Sequence, residues 1–90
     1  MRFEFDPEKN RLNQGKHEIS FEEAQEIWSD EEAIQVPAMS ETEDRFAIFG
    51  EARSKIWSAF FTYRGEAVRI ISVRRARKAE VELYESGKTR

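Results

Sequence analysis

The side chains of this 90-residue chain best suited to chemistry are four arginines in its second half and a single histidine. Arg45, Arg69, Arg74 and Arg75 carry planar forks that bind two phosphate oxygens at once and stay charged at any working pH. His17 is the only side chain whose ordinary pKa lies near neutrality, and Lys16 beside it adds a point charge. Together they offer a proton carrier and fixed positive charge, which is what displacement at phosphorus without a metal requires. Each also has a plainer reading. The arginines fit a solvated face paired with acidic residues, and Lys16 and His17 fit cations at the C-terminal end of a helix dipole. Tyr84 and Glu80, four apart, share a helix face, where Tyr84 stacks on a base, donates a proton or packs in the core and Glu80 orients an arginine. Arg64, in a turn, and Arg77 and Lys78, on the last helix, are peripheral candidates for contact with substrate or partner. Trp28, Trp57, Phe60 and Phe61 fall on regular apolar stripes and are assigned to the core or an interface.

Composition narrows the chemistry. The absence of cysteine excludes a disulfide framework, a thiolate cluster and a cysteine nucleophile, and one histidine argues against a histidine-built metal site. No metal and no cofactor is expected. No apolar run approaches the ~20 residues of a membrane span, and the opening MRFEFDPEK lacks the pattern of a signal peptide, so a cytoplasmic protein with no membrane partner is expected. A single domain over residues 1–90 is expected, and at this size folding buries roughly 60 to 65 per cent of the unfolded surface, so the core is thin. The net charge of −3 conceals an asymmetry. Met1 to Asp44 holds thirteen acidic and four basic residues, a net of −9, whereas Arg45 to Arg90 holds eleven basic and five acidic, a net of +6. A basic half can attract phosphates within an acidic protein, because fields are screened beyond ~8 Å at physiological salt.

The elements that must position these residues can be read from periodicity and caps. Arg2 to Phe5 alternates as a short strand with Phe3 and Phe5 inward. Asp6-Pro7 caps and opens a helix ending at Lys16 or His17; its only apolar residue is Leu12, so it lies shallow. Ser20-Phe21-Glu22-Glu23 is a capping box, and Phe21, Ala24, Ile27 and Trp28 form the buried stripe of a second helix, with Ile19 as its staple. Ala33 to Val36 reads as a strand and Pro37 to Glu43 as an acidic loop. A meander follows: Arg45 to Gly50, Lys55 to Tyr63, a turn at Arg64-Gly65-Glu66, then Ala67 to Val73, which is apolar on both faces and therefore interior. A helix over Arg75 to Glu85 closes the chain, with Ala76, Ala79, Val81, Leu83 and Tyr84 on its apolar face and Gly87 as its stop. The expected fold is α+β: an antiparallel sheet of four to five strands packed on one face by the N-terminal helices and the C-terminal helix. Strand alternation lets Arg45 and Arg69 project from one face, with Arg74 and Arg75 beside them at the strand-to-helix junction.

Two runs of residues carry a family likeness. The opening Phe3-Glu4-Phe5-Asp6-Pro7-Glu8-Lys9-Asn10, Asn13, Lys16-His17 and Ile19-Ser20-Phe21-Glu22-Glu23-Ala24 resembles the BrnT family. So does the closing Arg69-Ile70-Ile71-Ser72-Val73-Arg74-Arg75-Ala76 with Glu80 and Tyr84, and between them Glu43-Asp44-Arg45-Phe46, Ile48, Gly50 and Tyr63-Arg64-Gly65. The chain departs from the family pattern at Glu18, where a glycine is usual, and at Phe5, near which a tryptophan is common. The resemblance implies a RelE-like fold and a ribonuclease toxin that arrests translation. It also implies a BrnA-type ribbon-helix-helix antitoxin, two toxins seated on an antitoxin dimer, and contact with operator DNA only through that antitoxin.

Two functions from different classes stay open. In the first, the chain is a metal-independent endoribonuclease whose 2′-hydroxyl attack on phosphate is served catalytically by His17, Arg45, Arg69, Arg74 and Arg75, with Lys16, Arg64, Arg77 and Tyr84 binding substrate. In the second, the same basic face docks an acidic protein or nucleic acid without catalysis. A DNA-binding regulator is weaker, since no helix-turn-helix is visible and the most helical part of the chain is the most acidic.

Overall fold

The local signals at the N-terminal half produce the elements they promise. In the computed structural model, which describes residues 1–88, strand β1 (Arg2–Glu4) leads into helix α1 (Pro7–His17). Arg90, counted above in the basic half, lies outside the described residues. The Asp6 side chain accepts the Glu8 N–H at 2.8 Å, and Pro7 takes the first helical position. Glu18 closes α1 in left-handed backbone, φ 61° and ψ 31°, the conformation for which glycine is the cheapest residue. The turn after His17 thus keeps a glycine-like backbone despite its acidic side chain. Helix α1 lies shallow as expected, but Leu12 is not its anchor, being 59% exposed. Asn13 is, buried and doubly bonded: its Nδ2 donates to the Ile19 carbonyl at 3.1 Å and its Oδ1 accepts the Val73 N–H at 3.0 Å.

The capping box forms in full at Ser20 and Glu23 and starts α2 (Phe21–Ala24), which tightens into a 3₁₀ helix over Gln25–Ser29 instead of continuing as one α-helix. Phe21, Ala24 and Ile27 are completely buried. Strands β2 (Ile34–Ala38), β3 (Arg45–Ala52), β4 (Lys55–Arg64) and β5 (Ala67–Arg75) follow, then helix α3 (Lys78–Lys88). Pro37, expected in the loop, lies within β2, where an edge strand tolerates the missing N–H.

The sheet order is β1-β5-β4-β3-β2. The four later strands pair antiparallel, but β1 runs parallel to β5 through the Phe3↔Val68 pair. The sheet is therefore mixed, correcting the purely antiparallel expectation. Residues 5 to 33, which carry α1 and α2, form a crossover long enough to bring the chain from one edge to the other. Helices also cover both faces, not one. Ile48, Trp57, Ala59, Phe61, Val68, Ile70 and Val73 pack with Ile19, Phe21, Ala24 and Ile27, whereas Ala47 and Phe49 pack with Tyr84 of α3. That second cluster is small: Leu83, expected on the apolar face of α3, is 50% exposed, and Gly87 lies inside the helix. The helix starts later than expected because β5 stays paired through Trp57↔Arg75.

Two irregularities redirect side chains. Phe60 pairs with Ser72 but Phe61 with Ile70, so Ile71 is an extra residue that reverses the alternation of β5. Val73 consequently joins Val68 and Ile70 in the core, and Arg74 moves to the face of Arg69. At the β3–β4 turn, Arg53 and Ser54 hold φ of 53° and 64°, left-handed positions that cost non-glycine residues about 1–2 kcal/mol each.

The role of Asn13 is open to measurement. Asn13→Ala is expected to cost about 2–4 kcal/mol of stability in urea unfolding, because it strands the Val73 N–H and the Ile19 carbonyl in the interior. Leu12→Ala should fall within about 0.5 kcal/mol of the parent. Similar losses from both would mean that the apolar residue anchors α1 after all.

Candidate active site

The structure divides the chemically capable residues between the two faces of the sheet. On the α3 side, Arg69 faces Thr62 across the β5–β4 ladder, and Arg45 lies one step beyond the Phe46↔Phe61 pair on the other flank of β4. The two arginines stand two strand spacings apart, about 10 Å. Arg74 pairs with Ser58, four residues along β4 from Thr62, or about 13 Å away. These three arginines share a face but are not gathered at one spot, and each already holds a carboxylate. Arg45 Nε meets Glu43 at 3.2 Å and Arg69 Nη1 meets Glu4 at 3.3 Å. Arg74 binds Glu80 through both nitrogens at 2.8 Å, while its guanidinium lies 5.1 Å from the Phe60 ring centre.

The Glu80 carboxylate is the best-solvated anion by protein donors on this face. It accepts the Ser58 hydroxyl at 2.7 Å and the Arg77 N–H at 2.8 Å in addition to Arg74. Its pKa is pulled to about 2, chiefly by the Arg74 hydrogen bonds, with partial burial opposing and the Arg77 N–H and Ser58 hydroxyl assisting. The same pairing raises the pKa of Arg74.

On the opposite face a cleft of about 220 Å³ is lined by His17, Glu18, Glu23, Arg53, Lys55, Trp57 and Arg75. Helix α1 brings His17 to it, β4 contributes Lys55 and Trp57, β5 ends in Arg75, and the β3–β4 turn supplies Arg53. Trp57 forms the floor, 4% exposed, with its Nε1 donating to the Ala52 carbonyl at 2.7 Å. The Arg75 guanidinium lies over that ring, 5.6 Å from its centre, an arrangement that orients the fork without neutralising it. Among the described residues, His17, Lys55 and Arg75 make no ion pair, while Arg53 is held by Glu26 at 2.9 Å and Glu23 at 3.7 Å.

Of the residues singled out from sequence, the cleft thus unites His17 and Arg75, and the α3 face holds Arg45, Arg69 and Arg74. Lys16, Arg64 and Arg77 are exposed and line neither the cleft nor the arginine row. Tyr84 is 1% exposed and its hydroxyl donates to Asp30 Oδ2 at 2.6 Å, which leaves no ring face for a base. Burial first, and the Asp30 carboxylate second, push its pKa upward, away from proton donation near neutrality. Sequence reasoning missed Arg53 and Lys55. Lys55 was visible as the residue two before Trp57 on an alternating strand, but nothing local marks a turn residue such as Arg53 as facing a helix end. Among the described residues no three His, Asp or Glu side chains are grouped to hold a metal ion.

Comparison with known families adds one finding. The model of a family described as the ribonuclease toxin, BrnT, of type II toxin-antitoxin systems matches residues 5–80, a span that includes every residue of the cleft. No curated protein matches the chain closely enough to count as a relative.

The Arg74–Glu80 pair makes stability depend on acid in a defined window. The Glu80 carboxyl sits at about 2 in the folded chain against an ordinary 4.5, so its contribution is complete above pH 4.5 and drains away as pH falls toward 2. Glu80→Gln should lose about 1.5–3 kcal/mol at neutral pH and show a flatter decline in that window, read by urea unfolding at a series of pH values. Parent and variant curves that stay parallel from pH 5 to 2 would show that Glu80 carries none of it.

Proposed function

We propose, for a chain that belongs to the BrnT family of ribonuclease toxins of type II toxin-antitoxin systems, that RNA is cut in the His17 cleft without a metal ion. The observation that carries this reading is that an imidazole and two cations with no ion-pair partner among the described residues, Lys55 and Arg75, line one cleft. Cleavage by the adjacent 2′-hydroxyl requires that this group lose a proton while negative charge grows on the phosphoryl oxygens and the leaving 5′-oxygen. His17 carries the proton. Arg75, whose guanidinium lies over the Trp57 ring, offers its fork to the non-bridging oxygens, and Lys55 adds a point charge from the neighbouring strand.

The arginine face is the weaker location for the reaction. A phosphate arriving there must displace Glu43 or Glu4 from single contacts, or Glu80 from the bidentate, more buried pair with Arg74. Arg45, Arg69 and Arg74 serve instead as flanking contacts for a longer RNA. The family likeness supports the remainder of the reading: a RelE-like fold, arrest of translation, a BrnA-type antitoxin dimer carrying two toxins and contacting operator DNA, and action in the cytoplasm. No helix among the described residues is long and apolar enough to cross a membrane.

Cleavage of a labelled RNA in the presence of a chelator tests the centre. His17→Ala is expected to slow it by about 10²–10⁴ and Arg75→Ala by about 10²–10³, whereas Arg45→Ala and Arg69→Ala should stay within about tenfold of the parent. The reverse ranking would move the reaction to the arginine face, and a folded parent that cuts nothing would favour a non-catalytic binding module.

A further inference from the structure

Arg53 and Ser54 are the whole of the β3–β4 turn, which is closed by the Ala52↔Lys55 pair. A two-residue turn with positive φ at both positions is most readily made by Asn-Gly, and this chain holds φ 53° and 64° with an arginine and a serine. Residues kept in sparsely populated backbone cluster where the geometry serves function. We infer that Arg53 is a substrate-gripping residue, whose guanidinium leaves its carboxylate partners to take an RNA phosphate next to the one at His17. The inference rests on the cleft being the ribonuclease centre and extends it to a second phosphate.

Three features of the site lead there. Arg53 lines the same cleft as His17, Lys55 and Arg75, at the end nearest the turn. Its ion pairs with Glu23 and Glu26 are open to water, the Arg53 side chain being 54% exposed, so exchanging them for a phosphate is inexpensive. The backbone is held through the other oxygen of the same carboxylate, since the Arg53 N–H donates to Glu26 Oε1 at 3.3 Å while the side chain pairs with Oε2. The side chain can therefore swing while the turn stays in place. In the absence of RNA Glu26, outside the cleft, and Glu23, within it, hold the guanidinium at the cleft's edge, within reach of a ligand that offers two oxygens in the same plane as a carboxylate does.

Steady-state cleavage of a short oligoribonucleotide at several salt concentrations, together with urea unfolding, tests the grip in three variants. Arg53→Asn/Ser54→Gly should unfold at higher urea, raise KM about tenfold with kcat within about threefold, and flatten the salt dependence of log KM by about 0.7, the share of one phosphate on a single strand. Ser54→Gly alone should also unfold at higher urea but keep KM within about twofold, since it leaves the guanidinium in place. Arg53→Lys should retain the salt slope with an intermediate KM. A parental KM and salt slope in Arg53→Asn/Ser54→Gly, alongside a large loss in His17→Ala, would overturn the grip while leaving the centre standing. An active His17→Ala variant would overturn the centre itself.

Discussion

One buried amide sets the geometry on which the cleft depends. Asn13 joins the last turns of α1 to the backbone of Val73 on β5 and to the Ile19 carbonyl just before α2. His17 stands four residues after Asn13, one helical turn, and Arg75 stands two residues after Val73, the next position on the same strand face. Asn13 thus ties the proton carrier to the strand that carries the guanidinium, with Asn10, which accepts the Phe21 N–H at 2.7 Å, adding a second tether from α1 to α2. Since α1 offers no buried apolar residue, a polar tether is the only means among its described contacts of holding it in register with the sheet. Hydrogen-bond geometry is directional where apolar packing is not, so the tether specifies position more sharply than a leucine at Asn13 would.

The extra residue in β5 has a comparable effect on the cations. Without Ile71 in the bulge, strict alternation would place Arg74 on the core face with Val68 and Ile70, and Arg75 on the far face with Arg69. With it, Arg75 faces the cleft and Arg74 turns to Glu80, so two adjacent arginines acquire opposite roles. Arg74 is neutralised and anchors α3, a helix whose apolar contact with the sheet is little more than Tyr84. Arg75 has no ion-pair partner among the described residues and lies over Trp57.

What the sequence revealed follows from which interactions are local. The Asp6 cap with Pro7, the Ser20–Glu23 capping box and the hairpins of the meander involve residues within a few positions of one another, and each was legible and is present. The parallel pairing of β1 with β5 joins Phe3 to Val68, and no local pattern announces it. The bulge was hidden because Ile70 and Ile71 are equally apolar, so either could have faced the core. The second helix-covered face escaped notice because α3 docks through the polar contacts of Glu80 and Tyr84 and not through the stripe of Ala79 and Leu83, which faces water. Of the site itself, His17 and Arg75 were legible as residue types, but their meeting was not, because it is made by Asn13, a residue that reads as an ordinary surface position of a polar helix.

The acidic half of the chain, which argues against binding RNA when counted as a sum, loses that force when each carboxylate is placed. Asp6, Glu23 and Asp30 accept backbone N–H groups at turns and helix starts. Glu4 and Glu43 neutralise arginines on the α3 face. Glu23 and Glu26 hold Arg53. These charges are committed to the fold at positions other than the cleft floor, and at physiological salt their influence fades within ~8 Å. An approaching phosphate at the cleft meets Lys55, Arg75, Arg53 and His17 together with the carboxylates of Glu18 and Glu23, and the remaining acidic surface only through screened solvent. The protein can therefore be acidic as a whole and still present a cationic surface where a phosphodiester would lie. Neutralising Arg45, Arg69 and Arg74 on one face while Lys55 and Arg75 on the other have no ion-pair partner among the described residues is how the fold achieves this with a net negative chain.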